Sequence, residues 1–373
     1  MSSGEVVLYE EAEVLRRWHE LLGRDPPLFR NNLSDFEIRP LLETEDRFVA
    51  LFDKTRAQTK RQTLYTQQKE VPRPAVVRPF DPQGFHFVKT NPIELLAMYG
   101  GPSAAPTAGL EEWPFHPVLI NVSPLAEGHV VLVPDSLKLL PQVLTAGAVR
   151  LLVRFAAQGV RRDWRVLFNS LGGWASVNHL HIHGLFTKEL FPEQGGAFPI
   201  EGASRGEGIT VSCHGVEIAV HRLAFPVNAW AIEAVEAHPT APVASGLVLD
   251  VLATAVWLIV ERLQLLDVAH HLLATCTHCV YLIPRRVQCV NPSGIRFAVM
   301  EVCGTAICGT ASGFADLTAA AFADMMRAEV SLSGEEMGEI EEEAFRRLAG
   351  GLGAAVGGLR GGGVKGPRAA VIN

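Results

Sequence analysis

The chain is short of positive charge, of cysteine and of long apolar runs. Lys and Arg number 33 against 40 Asp and Glu over 373 residues, a formal net charge of −7. Broad nucleic-acid binding needs a basic surface, so that class is set aside, and any phosphate site must be a local feature. The six cysteines, Cys213, Cys276, Cys279, Cys289, Cys303 and Cys308, are too sparse for a disulfide framework. Reduced thiols in a cytoplasmic protein are the simplest reading. The start, Met1-Ser2-Ser3-Gly4-Glu5, has no basic segment leading into an apolar core, so no signal peptide is expected. Leu247 to Val260 is strongly apolar, but it contains Asp250 and is too short for a good membrane span. A buried core helix is expected there, and no membrane association.

What is present suits a globular protein: 48% hydrophobic and 20% charged residues, enough for one large or two ordinary domains. The most informative stretch is Asn178-His179-Leu180-His181-Ile182-His183-Gly184. Side chains on a strand alternate faces, so the three histidines would share one face, about 7 Å apart. Leu180 and Ile182 would face a core. The preceding Asn169-Ser170-Leu171-Gly172-Gly173-Trp174-Ala175-Ser176 offers two glycines and small polar groups, a turn that lets backbone N–H groups approach an anion.

Three uses of such a row compete. Core imidazoles are one, each needing its own buried partner. Zinc is another, since His-x-His on a strand is a plausible ligand pair, although no Cys or carboxylate ligand lies nearby in sequence. The third is nucleophilic attack at phosphorus by a neutral imidazole, with neighbouring groups holding the charge.

The triad followed by Gly184-Leu185-Phe186 resembles the signature of the histidine-triad superfamily of nucleotide hydrolases and transferases. Wider segments narrow the resemblance to the GDP-D-glucose phosphorylase family, relatives of the plant GDP-L-galactose phosphorylases. They are Pro79-Phe80-Asp81-Pro82, Phe85-His86-Phe87-Val88-Lys89, Ile120-Asn121-Val122-Ser123-Pro124-Leu125, Glu127-Gly128-His129 and the run from Phe168 to Gly184. The close match covers roughly residues 75–186, with looser similarity to about 320.

Hydrophobic spacing predicts an amphipathic helix over 8–25 and a second over 34–58, broken early by Pro40; the basic stretch Lys54 to Arg61 would be its solvated face. Residues 71–82 carry four prolines and read as extended. Strands are expected at 85–89, 117–123, 129–134 and 164–168, a loop at 99–109 and a helix at 137–158. With the triad strand, the order strand-strand-helix-strand-strand is that of the histidine-triad fold. The second half reads as strand 216–223, helix 246–266, strands 270–275, 279–284 and 296–303, then helices 313–331 and 335–348. The expected fold is therefore α+β: a histidine-triad-like antiparallel sheet with helices, in two related units resembling galactose-1-phosphate uridylyltransferase. No second His-x-His-x-His occurs, so the second unit would be degenerate. The expected divisions are an N-terminal region 1–74, a catalytic unit 75–200, the degenerate unit 201–349 and a glycine-rich flexible tail 350–373. Cys276-x-x-Cys279, with His278, His270 and His271 near, reads either as a zinc or redox site or as two core thiols.

The resemblance implies phosphorolysis of GDP-D-glucose to GDP and glucose 1-phosphate. His181 would be the nucleophile, forming a covalent GMP-histidine. Its other ring nitrogen would be held by a partner such as the His179 carbonyl. His183 would donate to a non-bridging oxygen, while His179 and Ser176 would sit near the phosphates. Asn169, Gly172 and Gly173 would shape the turn, and Lys89 would meet a phosphate. Ala175-Ser176 stands where small histidine-triad hydrolases commonly carry Gln-Ser, which favours the transferase branch. A nucleotide hydrolase and a guanine-nucleotide-binding protein without turnover are the alternatives. No cofactor or metal is implied. The expected partners are a GDP-hexose and inorganic phosphate, and a homodimer is compatible with the family. Guanine and glucose come from the resemblance alone.

Overall fold

In the computed structural model, which describes residues 9–25, 28, 33–53, 74–100, 116–236, 245–288 and 292–360, the chain opens with α1 (Glu11–Leu22). This amphipathic helix buries Val14 and Trp18, one turn apart, against the first strand of the main sheet, and the Trp18 indole donates to the His129 carbonyl. Where a helix is expected over 34–58, β1 (Glu37–Leu41) and β2 (Phe48–Phe52) form an antiparallel hairpin instead. Phe48-Val49-Ala50-Leu51-Phe52 is a short, wholly buried apolar run, which periodicity alone does not distinguish from a helix segment. Pro40 is tolerated because β1 is an edge strand. Residues 54–61, with the expected basic helix face, lie outside the described residues.

The first unit comprises β3 (Leu95–Tyr99), β4 (His116–Ile120), β5 (Val130–Leu132), α2 (Ala146–Ala157), β6 (Trp164–Asn169) and β7 (Ile182–Phe186). The second comprises β8 (Ser204–Cys213), β9 (Val216–Ala224), β10 (Trp230–Glu236), α3 (Ser245–Leu265), β11 (Ala269–Thr275) and β12 (Cys279–Arg285). Then follow α4 (Val299–Val302), β13 (Thr305–Cys308), α5 (Ala311–Asp316), α6 (Ala319–Glu329) and α7 (Gly334–Arg360). Among the described residues, ten strands form one antiparallel sheet in the order β3-β4-β5-β7-β6-β11-β12-β10-β9-β8. The other three form a small sheet, β1-β2-β13, in which β13 pairs parallel to β2.

The ten-stranded order is a repeat. Each unit is a three-strand meander, a helix and two more strands, laid out in space as first, second, third, fifth, fourth. The units join at their fourth strands, where β6 and β11 run antiparallel with Leu167 opposite Leu273. One strand outward on either side lie His183 and Tyr281; one further lie Val131 and Ala231. Each unit's opening strand also has a register shift near its start. The fold is the α+β arrangement of two related units, and only the first carries the triad.

The sheet separates two cores. Beneath it, α2, α3 and α7 pack against Val166, Phe168, Ile182, Leu272, Val280 and Leu282. Above it, β2, β13 and α6 cover Leu167, Leu185, Leu273 and Ile283. Helix α2 starts at Ala146, not 137, because Leu139 is left-handed (φ 50°) and the Thr145 hydroxyl then caps the helix. Residues 85–89 are not a strand: Phe87–Lys89 makes one 3-10 turn, tied by the Thr90 hydroxyl to the Phe87 carbonyl. The expected strand 296–303 is α4, with β13 following it. The expected helix 313–331 is split into α5 and α6 by a new N-cap at Thr318. Helix α7 continues through the glycine-rich 350–360 because Leu352 and Val356 bury against the lower core; the rest of the tail lies outside the described residues. No helix among the described residues is long and apolar enough to cross a membrane.

Candidate active site

The three histidines do not share one surface. Strand β7 begins at Ile182, so His183 is on the strand while His179 and His181 precede it. The backbone of His181 finds a substitute for a strand partner in the fully buried Gln142. That side chain accepts from His181 N at 2.8 Å and donates to the carbonyls of His181 (3.2 Å) and Asn169 (2.9 Å). Asn178 in turn accepts from the Gln142 backbone N–H and donates to Pro79 O. Nothing in the sequence singled out Gln142, which follows Pro141 in a segment that reads as helix.

His181 Nδ1 lies 2.7 Å from the His179 carbonyl. A carbonyl only accepts, so Nδ1 carries the ring proton and Nε2 keeps its lone pair. Burial lowers the His181 pKa to about 4, with the carbonyl contact opposing. The ring is therefore neutral at pH 7 and held in the nucleophilic tautomer. It lines a pocket on the upper face of the sheet, with the Phe87 ring centroid 5.0 Å away and that of His183 at 5.1 Å.

His183 also lines the pocket, and His129 sets its tautomer. Leu125 N–H donates to His129 Nδ1 at 3.1 Å, so a neutral His129 carries its proton on Nε2. That nitrogen is 3.1 Å from His183 Nδ1. Donation along this line leaves the His183 proton on Nε2. The Asn121 carboxamide nitrogen lies 3.0 Å from the same His129 nitrogen, but an amide N–H only donates, so His183 Nδ1 is the acceptor for that proton. His129 and Asn121 stand in sequence segments that carry the family resemblance, but no spacing rule pointed to their contact with the triad.

The remaining expected residues divide. Ser176 is exposed and lines the pocket; Asn169 lines it too, but its carboxamide oxygen accepts from Val299 N–H at 2.8 Å. His179 is fully buried and absent from the pocket wall. Its Nδ1 accepts from Phe87 N–H, and its ring lies among those of Phe80, His86 and Phe87. It serves the site through its carbonyl. Gly172 and Gly173 are buried beneath the turn: a Cβ on Gly172 would come 2.9 Å from Ala269 and Val287, and one on Gly173 would come 2.6 Å from the His271 ring. They allow the turn to rest on β11 and do not line the pocket. Lys89 Nζ donates to the carbonyls of Pro82 (3.1 Å) and Gly84 (2.8 Å) and stands outside the pocket wall. Trp174 closes the turn in a left-handed conformation (φ 69°), pinned by its indole N–H on Gln288 Oε1 at 2.5 Å.

The second unit reaches into the same pocket through Ala298, Val299, Met300 and Glu301. Cys279 is buried, with its thiol 3.5 Å from Glu233 and its pKa pushed up by burial, while Cys276 lies 3.9 Å from the Arg162 carbonyl. Among the described residues no group of three His, Cys, Asp or Glu is placed to hold a metal ion. Chemically, the pocket joins a neutral imidazole with a free lone pair to a second imidazole directed by its neighbour.

Residues 11–185 match the family model "GDPGP1-like, N-terminal domain" and residues 199–350 match "GDPGP1-like, C-terminal domain". The chain is 42% identical over 128 residues to GDP-D-glucose phosphorylase 1 of Homo sapiens, covering 34% of this chain and 33% of that one. It is 38% identical over 163 residues to the Danio rerio protein of that name (44% and 43%). It is 31% identical over 233 residues to GDP-L-galactose phosphorylase 1 of Arabidopsis thaliana (61% and 49%). The alignments span about a third to a half of the length of these relatives. Yeast Ap4A phosphorylase in complex with Ap4A superposes with a TM-score of 0.55 over 86% of this chain and 98% of that one, at 12% identity, a likeness of fold.

Proposed function

Because the chain belongs to the GDPGP1-like family, we propose that it phosphorolyses GDP-D-glucose to GDP and glucose 1-phosphate through a covalent GMP on His181. The observation that carries this reading is His181 itself: neutral, tautomerically fixed and lining a pocket. In the first displacement His181 Nε2 attacks the α-phosphorus, a P–N bond forms, and the P–O bond to glucose 1-phosphate breaks. The imidazolium that results keeps its Nδ1 proton on the His179 carbonyl, which stabilises the positive ring. In the second, an oxygen of inorganic phosphate attacks the same phosphorus, the P–N bond breaks, and GDP leaves with His181 neutral again.

Charge in such transfers spreads over the equatorial oxygens, so fixed donors carry much of the rate. His183 Nε2–H and the Ser176 hydroxyl are two donors on the pocket wall. Asn169 holds the second unit against the turn, and Gly172 and Gly173 seat that turn on β11. Lys89, from the pocket's rim segment, supplies positive potential for the incoming phosphate. Residues 75–200 form the catalytic unit on this reading, and 201–349 its degenerate partner.

The test is turnover of GDP-glucose with and without phosphate, following GDP, GMP and glucose 1-phosphate. Water outnumbers phosphate, so a phosphorylase must favour phosphate by several orders of magnitude, about 5.5 kcal/mol for a factor of about 10⁴. Millimolar phosphate is expected to divert product from GMP to GDP. GMP as main product at saturating phosphate would make the protein a hydrolase and end the assignment.

A further inference from the structure

Strands β6 and β7 stop pairing at Leu167 and His183. Beyond that rung the carbonyls of Asn169 and His181 both accept from the Gln142 side chain, which itself accepts from His181 N–H. A carboxamide carries the acceptor and donors of a peptide group on a side chain. It can therefore replace a missing rung of the ladder, and Gln142, fully buried, does so. Its own segment, residues 139–145, is neither helix nor strand and is held on two sides. On the triad side, Leu140 O accepts from Leu180 N–H at 2.8 Å, and Gln142 N–H donates to Asn178 Oδ1 at 2.9 Å. On the other side a second glutamine repeats the clasp. Gln264, in the last turn of α3, accepts from Leu144 N–H at 2.9 Å and donates to Leu144 O at 3.1 Å.

We infer that this strap carries the second unit's grip to the nucleophile: Gln142 is a positioning residue for His181, and Gln264 positions Gln142. This rests on His181 being the nucleophile and deepens that reading. The His181 ring holds its proton on Nδ1 because the His179 carbonyl lies 2.7 Å away, and the backbone between the two residues sets that distance. The clasp takes His181 by its N–H and its C=O together, which fixes the peptide groups on both sides of it. Without the clasp the carbonyl contact loosens, and Nε2 loses both its aim and its guaranteed lone pair. A misplacement of about 1 Å at a reacting atom can cost on the order of 10²-fold in rate. Helix α3 contributes no residue to the pocket wall, yet through Leu144 and Gln142 it bears on the reacting nitrogen.

The experiment follows transfer of labelled GMP from GDP-glucose to His181 in a single turnover, over a range of substrate concentrations. Gln142→Leu keeps the size of the side chain and removes the clasp. Its transfer rate at saturation should fall at least about 10-fold, the scale of losing a well-made hydrogen bond, with half-saturation within about threefold of the parent. Gln264→Leu should cost about threefold, since water can serve part of its partly buried clasp. If one strap carries both effects, the double variant should match Gln142→Leu within about 1.5-fold, whereas independent effects multiply to about 30-fold. Thr145→Ala controls for damage to packing. It removes the neighbouring helix cap, Ala148 N–H on Thr145 Oγ1, and should lower the melting temperature while sparing the transfer rate. A parent-like rate in Gln142→Leu, multiplied losses in the double variant, or an equal loss in Thr145→Ala overturns the inference. If Gln142→Leu does not fold, Gln264→Leu is read alone, and a loss no larger than that of Thr145→Ala overturns it. Absence of GMP on His181 in the unsubstituted protein would sink the nucleophile reading, and this inference with it.

Discussion

The repeat places His181 and His183 of the first unit where the second has Cys279 and Tyr281, on the same face of the same sheet. The two places hold opposite contents. Around Cys279 the space is filled: Glu233 touches its thiol and pairs with Arg205, Arg165 and Glu201 form a bidentate pair, and Tyr281 is buried. Around His181 it is a pocket. The connections differ as much as the side chains. In the second unit β11 and β12 are joined by residues 276–278 alone, with His278 left-handed. In the first, residues 170–181 intervene, enough for the glycine turn, the Trp174 corner and Ser176. A sheet of this kind is therefore not itself catalytic. What distinguishes the half with the pocket is a longer fourth-to-fifth connection and an imidazole held by a backbone carbonyl.

The largest test of that contrast is exchange of the two counterparts. His181→Asn should lower phosphorolysis by at least about 10³-fold, the scale of removing a nucleophile. Cys279→Ala should leave it within about twofold. Labelled substrate should trap GMP on His181 alone. A near-normal His181→Asn enzyme would falsify the mechanism.

Next in size are the donors. Loss of His183 to Ala should cost about 10²-fold in kcat, as for other fixed donors to a developing anion. His129→Leu removes the hydrogen bond that directs His183 and should cost roughly 10-fold, the worth of one hydrogen bond of about 1.4 kcal/mol. Unlike a packing defect, it should also shift the pH profile of kcat, because it frees His183 to change tautomer. An unchanged profile would separate His129 from the chemistry.

Stability offers a third comparison. Burial depresses His181 in the first unit and His270 in the second to about 4, from 6.5. The unfolded chain thus binds more protons between those values, so stability must fall as pH drops from 6.5 toward 4. Each imidazole contributes about 1.4 kcal/mol per pH unit in that window. Chemical denaturation at pH 7 and pH 5 should show the fall, and His270→Leu should reduce the slope. A pH-independent midpoint contradicts the buried neutral rings. The smallest effect is expected at Lys89, whose ammonium already serves two carbonyls. Lys89→Ala should lower the GDP-to-GMP ratio only about twofold to fivefold, as for an exposed charge worth up to about 1 kcal/mol. No change would remove Lys89 from the phosphate path.

Much of this could be read from the chain. The alternation of His179, His181 and His183 pointed to the stretch where His181 and His183 line a pocket, and the strand-helix-strand spacing in each half foretold the repeat. Period failed where burial is two-sided: Phe48–Phe52 has no alternation, so a strand looked like a helix. Glycine content misled at 350–360, because the tertiary packing of Leu352 and Val356 outweighs low helix propensity. Alternation also placed His179 in the pocket, whereas its ring is clamped under Phe87. Gln142 and His129 act across gaps of 39 and 54 residues from His181 and His183 respectively, and local pattern carries no record of such contacts.

The contact between Asn169 and Val299 also sets a timetable. A ribosome makes residues 75–200 well before it makes 269–308, and until then β6 is an open edge with its ladder groups unpaired. Strand β2 waits as well, since Thr305 to Cys308 complete its sheet. The first unit, although it holds the histidine triad, therefore emerges as an unfinished, adhesive half-protein. Its glycine turn has no β11 to rest on, and its pocket lacks a wall. Competence should arrive abruptly with the last third of synthesis, and a chain cut near residue 200 should be insoluble before it is inactive.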